Sequence, residues 1–172
     1  MTKRIFGVLF SVLLLAGCGK TDSPYRKEVK TYINELVNGT YQSRLGMKLF
    51  DSQAIPDLLA YADDQREIQY PPVNPLSSYI VSSCSVGMFV LWTVEGIRQE
   101  GIRDDDRRAS FGYPSLVPLL WDEDRGQRPE YGEDGYDELQ KRASAAYRNW
   151  WNSGSFGQIK SRDPLEGTGL HW

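Results

Sequence analysis

The chain has 172 residues, 40% hydrophobic and 12% aromatic, which is enough apolar material for one folded core and sets aside disorder throughout. Its formal charge of -3 becomes -5 once the first seventeen residues, with Lys3 and Arg4 and no acid, are removed, and that balance argues against a nucleic-acid partner. One histidine, His171, and two cysteines, Cys18 and Cys84, are too few for a zinc site built on Cys and His.

The amino terminus carries the most specific signal. Lys3 and Arg4 form a charged region, Ile5 to Leu15 an apolar one too short to span a bilayer, and Leu15-Ala16-Gly17-Cys18 closes it with small residues before a cysteine. The tetrapeptide resembles the lipobox of bacterial lipoproteins. The resemblance implies diacylglycerol on Cys18, cleavage after Gly17, and acylation of the new amino group by a chain such as palmitate, which together give stable anchoring. Residues 1–17 are thus expected to be a cleaved signal peptide and 18–23 the lipidated cysteine and its tether. Residues 24–172 are left as the folded domain.

Ser23 and Pro24 fit an N-cap and first helical position, with Tyr25, Val29, Tyr32, Ile33, Leu36 and Val37 at helical spacing and Gly39 as the stop. Asn38-Gly39-Thr40 matches a glycosylation sequon and is read as a helix stop. Thr40 to Asp51 reads as irregular. Asp51 or Ser52 is expected to cap a helix carrying Ile55, Leu58, Leu59 and Ala62 that ends around Asp63 to Glu67, with Pro56 tolerated in its first turn.

From Pro71 to Val94 there is no charged side chain, which marks the expected packed centre. Pro71, Pro72 and Pro75 force a loop, and Ser85 to Arg98 is long enough for a helix, capped by Ser83 or Ser85 and stopped at Gly101. Val86, Phe89, Val90, Thr93 and Ile97 share one face of it, and Met88, Leu91, Trp92 and Val94 cover most of the rest. Glu95 and Arg98 are its only charges; Glu95 is expected to be solvated or paired. Cys84 has no cation beside it to lower its pKa and reads as a small buried hydrophobe.

Arg103 to Arg108, Arg-Asp-Asp-Asp-Arg-Arg, carries charges of both signs and reads as a solvated, internally compensated loop. Pro114 to Trp121 is expected to be a short apolar helix, Asp122 to Gly135 a long loop, and Tyr136 to Asn152 a helix capped by Asp134. The Gly- and Ser-rich tail beyond Gly154 predicts no long element. Asp122, Asp124, Gly126 and Glu133 fall at positions 1, 3, 5 and 12 of an EF-hand-like loop, but Gln127 occupies the position that needs glycine and Pro129 intrudes, so no metal site is assigned and no cofactor is expected. The candidate binding surface is instead Trp121, Asp122, Asp124, Tyr131, Glu133 and Trp151, where flat amphipathic rings and acids meet.

Ile55-Pro56-Asp57-Leu58-Leu59 echoes Leu116-Val117-Pro118-Leu119-Leu120, and two such hairpins resemble HEAT-like repeats. Asn74-Pro75-Leu76-Ser77-Ser78-Tyr79, Gly87 to Arg98 and Tyr113 to Leu120 are also similar to a family of small bacterial lipoproteins with a HEAT-like body. That resemblance implies fold and location, and carries no catalytic residues. The expected fold is mainly α: a single domain of stacked helical hairpins with long loops and a Gly-rich carboxyl tail. The expected function is non-catalytic binding or scaffolding in the bacterial cell envelope, on its periplasmic or surface side, with a protein or carbohydrate ligand. A carboxylate-based carbohydrate-active enzyme is the alternative, since acids are abundant and such catalysis needs two of them across a cleft.

Overall fold

The structure, a computed structural model, describes residues 23–42, 48, 50–74, 76–106 and 113–172, without the side chains of 103–106. The lipobox and Cys18, most of the irregular stretch before Phe50, and Arg107 and Arg108 of the charge run lie outside the described residues.

Ser85 starts the central helix: its Oγ accepts the amide of Met88 at 3.1 Å, as an N-cap does. The helix, α3, runs Val86–Asp106, and every residue from Val86 to Arg98 is buried. An all-round apolar helix must be covered on every side. α1 (Arg26–Val37), α2 (Ile55–Leu59) and α4 (Tyr136–Asn152) supply much of that cover. Trp92, Phe89, Tyr32, Tyr136 and Tyr147 are the large side chains at the centre.

The expected stop at Gly101 does not occur. A Cβ there would lie 2.8 Å from the Phe156 ring, so Gly101 admits a neighbour, and α3 continues into the charge run as far as Asp106. α1 starts two residues later than expected, because Ser23 spends its carbonyl and Oγ on a turn with Arg26 and Tyr25. It ends as predicted, with Gly39 in the left-handed region at φ +64° and its amide on the Leu36 carbonyl.

Asp51 caps a 3-10 turn, Ser52–Ala54, that leads into α2; α2 is shorter than expected and gives way to turns by Ala60, with Ala62 still buried. Two short strands, β1 (Glu67–Gln69) and β2 (Ser83–Ser85), pair antiparallel with Ile68 opposite Cys84, both facing the core. They turn Tyr70–Ser82 into the loop of a hairpin. Only the second half of the uncharged interval is therefore core: Leu76 and Ile80 are 84% and 82% exposed.

The predicted helix over Pro114–Trp121 is absent. Pro118 has no N–H and disfavours the helical region for Val117, while Ser115 Oγ accepts Trp92 Nε1 at 2.8 Å and donates to the Val117 carbonyl at 2.6 Å. The segment buries Val117, Leu119 and Leu120 without helical turns and ends in β3 (Trp121–Asp122), which pairs with β4 (Leu170–His171). Without that helix the second of the two expected hairpins does not form. The fold is mainly helical, with α4 bounded as predicted but preceded by Gly135 at φ +88° rather than capped by Asp134. The tail adds a one-turn helix, α5 (Phe156–Ile159), with a Ser155/Gln158 capping box, and buries Ile159, Leu165 and Leu170. No helix among the described residues is long and apolar enough to cross a membrane.

Candidate binding groove

Arg142, Ala145, Ala146 and Asn149 recur at helical spacing on an outward stripe of α4, which Ser153 continues just past the helix end. Opposite them the chain from Arg162 to Thr168 runs back along the body. Between the two lies an open groove of about 610 Å³ with Ala145, Ala146 and Pro164 as its apolar floor.

The second wall is a Gly-rich tail with little local propensity, so its position comes from long-range donors. Trp150 Nε1 donates to the Ile159 carbonyl at 2.9 Å, Arg98 Nη1 to that of Lys160 at 2.9 Å, and Arg142 Nη2 to that of Thr168 at 2.5 Å. Lys160 Nζ in turn donates to the Gly101 carbonyl at 2.7 Å. Beneath this wall is a buried carboxylate. Glu95, 2% exposed, accepts from Arg98 Nε and Nη2 at 2.8 and 2.6 Å, from the Tyr147 hydroxyl at 2.7 Å and from Gln99 Nε2 at 3.0 Å. Glu95 is thus paired, one of the two sequence expectations. Tyr147 also accepts Trp172 Nε1 at 2.8 Å, and burial together with the Glu95 charge raises its phenol well above the usual value.

The groove is polar at both ends. At one end Arg142 Nη1 meets Asp122 Oδ2 at 3.3 Å and its Nη2 meets Asp124 Oδ2 at 3.4 Å, while Arg125 Nε stands 3.7 Å from the same Asp122 oxygen. At the other, near Gly154, Arg162 makes no ion pair among the described residues. The eleven-residue offset from Arg142 to Ser153 puts the two ends about 16 Å apart along α4. Asp163 and Glu166 project from the tail wall, and Asp163 Oδ1 accepts the Leu165 amide at 2.9 Å.

Residues 24–172 match the family described as a domain of unknown function (DUF4943). The chain belongs to that family. No curated protein and no solved structure matches it.

Within this DUF4943 domain the sequence-predicted surface is dispersed. Trp121, Asp122 and Asp124 do come together, at the β3 turn beside the groove, with Trp121 half-buried 6.4 Å from the His171 ring. Their carboxylates face the guanidinium of Arg142, a cation already in place. Tyr131 donates to the Gln65 carbonyl and stacks edge-on against Tyr136, and Glu133 accepts the Glu130 amide at 2.7 Å, so both sit at the amino end of α4. Trp151 lies half-buried near the other end of α4, in a separate hollow beside Pro56, Leu59 and Arg148. From Tyr136 to Trp151 the helix rises about 22 Å, so these residues do not form one site.

Sequence reasoning missed Arg142, Asn149 and Arg162, whose role depends on where the tail docks. It also missed the exposed apolar side chains Tyr70, Leu76 and Ile80. Their signal was available: apolar residues among prolines and serines, in a segment already read as a loop.

Proposed function

We propose that this protein is a lipid-anchored binding module of the cell envelope whose groove, between α4 and residues 162–168, holds an extended polar ligand such as a peptide segment. One observation carries the groove: a tail wall with little propensity of its own is fixed by long-range donors from α3 and α4, Arg98 and Trp150 buried and Arg142 half-buried, which is the preorganisation a binding site needs. Asn149 and Arg162 offer donors beside an apolar floor, and the Ser153 hydroxyl, which donates to the Trp150 carbonyl, keeps an accepting oxygen, a pattern that suits a backbone with alternating polar groups. A saccharide would call for an exposed aromatic platform. Trp150, however, is 6% exposed with its Nε1 engaged, and Trp151 belongs to another hollow.

The enzymatic alternative is less well supported. Asp163 and Glu166 lie three residues apart on the same wall, whereas carboxylate-pair hydrolysis places its two acids on opposite sides of the scissile bond. The anchor rests on Lys3-Arg4, the apolar run Ile5 to Leu15 and the lipobox-like Leu15 to Cys18.

Two measurements test the reading. A photoreactive residue at Ala145, on the groove floor, is expected to capture one defined adduct in intact cells that is lost when Arg162→Glu is added. The same adduct from a probe at the exposed Lys30 position on α1, outside the groove, or none from Ala145, overturns the groove. Labelled palmitate is expected on the wild-type chain and not on Cys18→Ser; an unlabelled wild type overturns the anchor.

A further inference from the structure

We propose that the loop of the β1–β2 hairpin, Tyr70 to Val81, inserts its tip into the headgroup–acyl boundary of the lipid bilayer and so sets how the body lies on the membrane. This rests on the anchor proposed above, which brings the body to the surface in the first place.

The reach of the tether constrains the geometry. From Cys18 to Ser23 a fully extended chain spans at most about 17 Å, so an anchored body stays near the bilayer and some face of it meets the lipid. α1, with 12 residues, is about 18 Å long. The hairpin stands at its carboxyl end, where Leu36, Gly39 and Tyr41 line a hollow shared with Ile68, Tyr70 and Pro72. An anchor at the amino end of α1 and a loop at its carboxyl end therefore reach one surface when α1 lies along it.

The chemistry of the loop fits that surface. From Ile68 to Val94 the chain has no charged side chain, so the tip itself carries no charge into the lipid, while Glu130 on the Tyr79 hydroxyl, with Arg128 and Glu133 near it, limits how deep the loop can go. Leu76 and Ile80 are the most exposed large apolar side chains of the described residues, and Tyr70 and Tyr79, amphipathic rings suited to the interface, flank them. The loop is held by two bonds within the hairpin and two to the body. Tyr70 N donates to the Ser82 carbonyl at 2.9 Å, Leu76 N to Asn74 Oδ1 at 2.9 Å, Asn74 N to the Leu116 carbonyl at 3.1 Å, and the Tyr79 hydroxyl to Glu130. Tyr70 stands at φ +49°, a conformation a tyrosine rarely adopts, which turns the chain out of the strand into the loop. Tyr70, Leu76, Tyr79, Ile80 and Leu116 are the exposed large hydrophobic side chains among the described residues, and four of the five belong to this loop. A stable protein interface engages roughly 20–30 residues a side, whereas an already anchored body needs only a few side chains in the bilayer to orient it.

The test uses the full chain, carrying its lipid, reconstituted in phospholipid vesicles. An environment-sensitive fluorophore is attached at Leu76→Cys or Ile80→Cys, with Lys141→Cys as the control; the buried Cys84 does not compete for the label. Leu76 and Ile80 labels are expected to shift to the blue and to be quenched by lipids brominated on their acyl chains, equally in zwitterionic and anionic vesicles, while the Lys141 label does neither. Adding Ile80→Asp to Leu76→Cys is expected to abolish the quenching. A chain that floats with the vesicles but keeps both loop labels in water overturns the insertion and leaves the anchor standing. A label shielded without lipid quenching and crosslinked to a second protein overturns it in favour of a protein interface. A chain that does not float overturns the anchor and the insertion together.

Discussion

Gly87 sits in the first turn of α3, where a Cβ would lie 2.0 Å from Gln140 Nε2 and 2.4 Å from the Ala62 carbonyl oxygen. Those two groups are bonded to each other at 3.0 Å, and Gln140 Oε1 also accepts Ser85 Oγ at 2.6 Å, so neither is free to retreat. Intrinsic propensity favours alanine over glycine in a helix by about 1 kcal/mol, so at an open position Gly87→Ala would stabilise. Here the sign reverses. Overpacking against a backbone carbonyl is expected to cost roughly 1–3 kcal/mol net, read from the urea midpoint at unchanged slope. Gly87→Ala with Gln140→Ala stays destabilised, because the carbonyl remains in place. A Gly87→Ala chain as stable as wild type would refute the close approach of α3 to the turn after α2.

At the scale of elements, the Glu95–Arg98 pair joins α3 to the tail. Arg98→Leu leaves Glu95 buried without its counter-charge and removes the donor to the Lys160 carbonyl, with an expected loss of about 3–5 kcal/mol. Replacing both residues by leucine removes the buried charges together and is expected to cost less than Arg98→Leu alone, a non-additivity that a double-mutant cycle measures. Both variants should make the chain around residues 160–168 more open to limited proteolysis, since the tail wall loses its tie in each. A double variant less stable than the single would mean that the pair acts through something other than mutual compensation.

The same elements separate what local sequence dictates from what it does not. α4 was legible because Leu139, Ala143, Tyr147 and Trp150 repeat at helical spacing over a stretch long enough to be unambiguous, and Ser85 because its oxygen meets an amide three residues on. Gly101 looks like a terminator, but its glycine answers to Phe156, more than fifty residues away. Leu116 to Leu120 has helical composition and loses it to Pro118 and to Ser115, whose hydroxyl is committed to Trp92. At the groove, Asp122 and Asp124 could be recognised as acids on one turn. Their partner Arg142 comes from another element, and the docked tail depends on Arg98 and Trp150 rather than on its own Gly-rich sequence.

For the molecule as a whole, the distribution of titratable groups makes stability asymmetric in pH. On the acid side, burial would raise Asp63, but the Ser144 hydroxyl and Arg148 outweigh it and hold the carboxyl below its usual range; Asp64 is held down by Arg66 in the same way. Their contribution is present above the unfolded carboxylate pKa and is lost as pH falls through the folded one. It is modest, because both side chains reach solvent. The alkaline side is different. Tyr32, Tyr136, Tyr147 and Cys84 are buried, and desolvation raises all four pKa values. The unfolded chain releases these protons above about pH 8.5 for the thiol and about pH 10 for the phenols, while the folded chain keeps them. Stability is therefore full below those values and falls above them, by about 1.4 kcal/mol per pH unit for each group released only on unfolding. With all four contributing the slope approaches about 5 kcal/mol per unit, so a domain stable by about 5–15 kcal/mol unfolds within roughly one to three units above pH 10. Urea midpoints taken from neutral to alkaline pH should be level up to about pH 8.5 and then fall with steepening slope. Tyr147→Phe should lose about one proton's worth of that slope, whatever it does to stability at neutral pH. A midpoint that stayed level to about pH 11 would mean that these rings and the thiol reach water in the folded chain, and that the core around α3 is not closed.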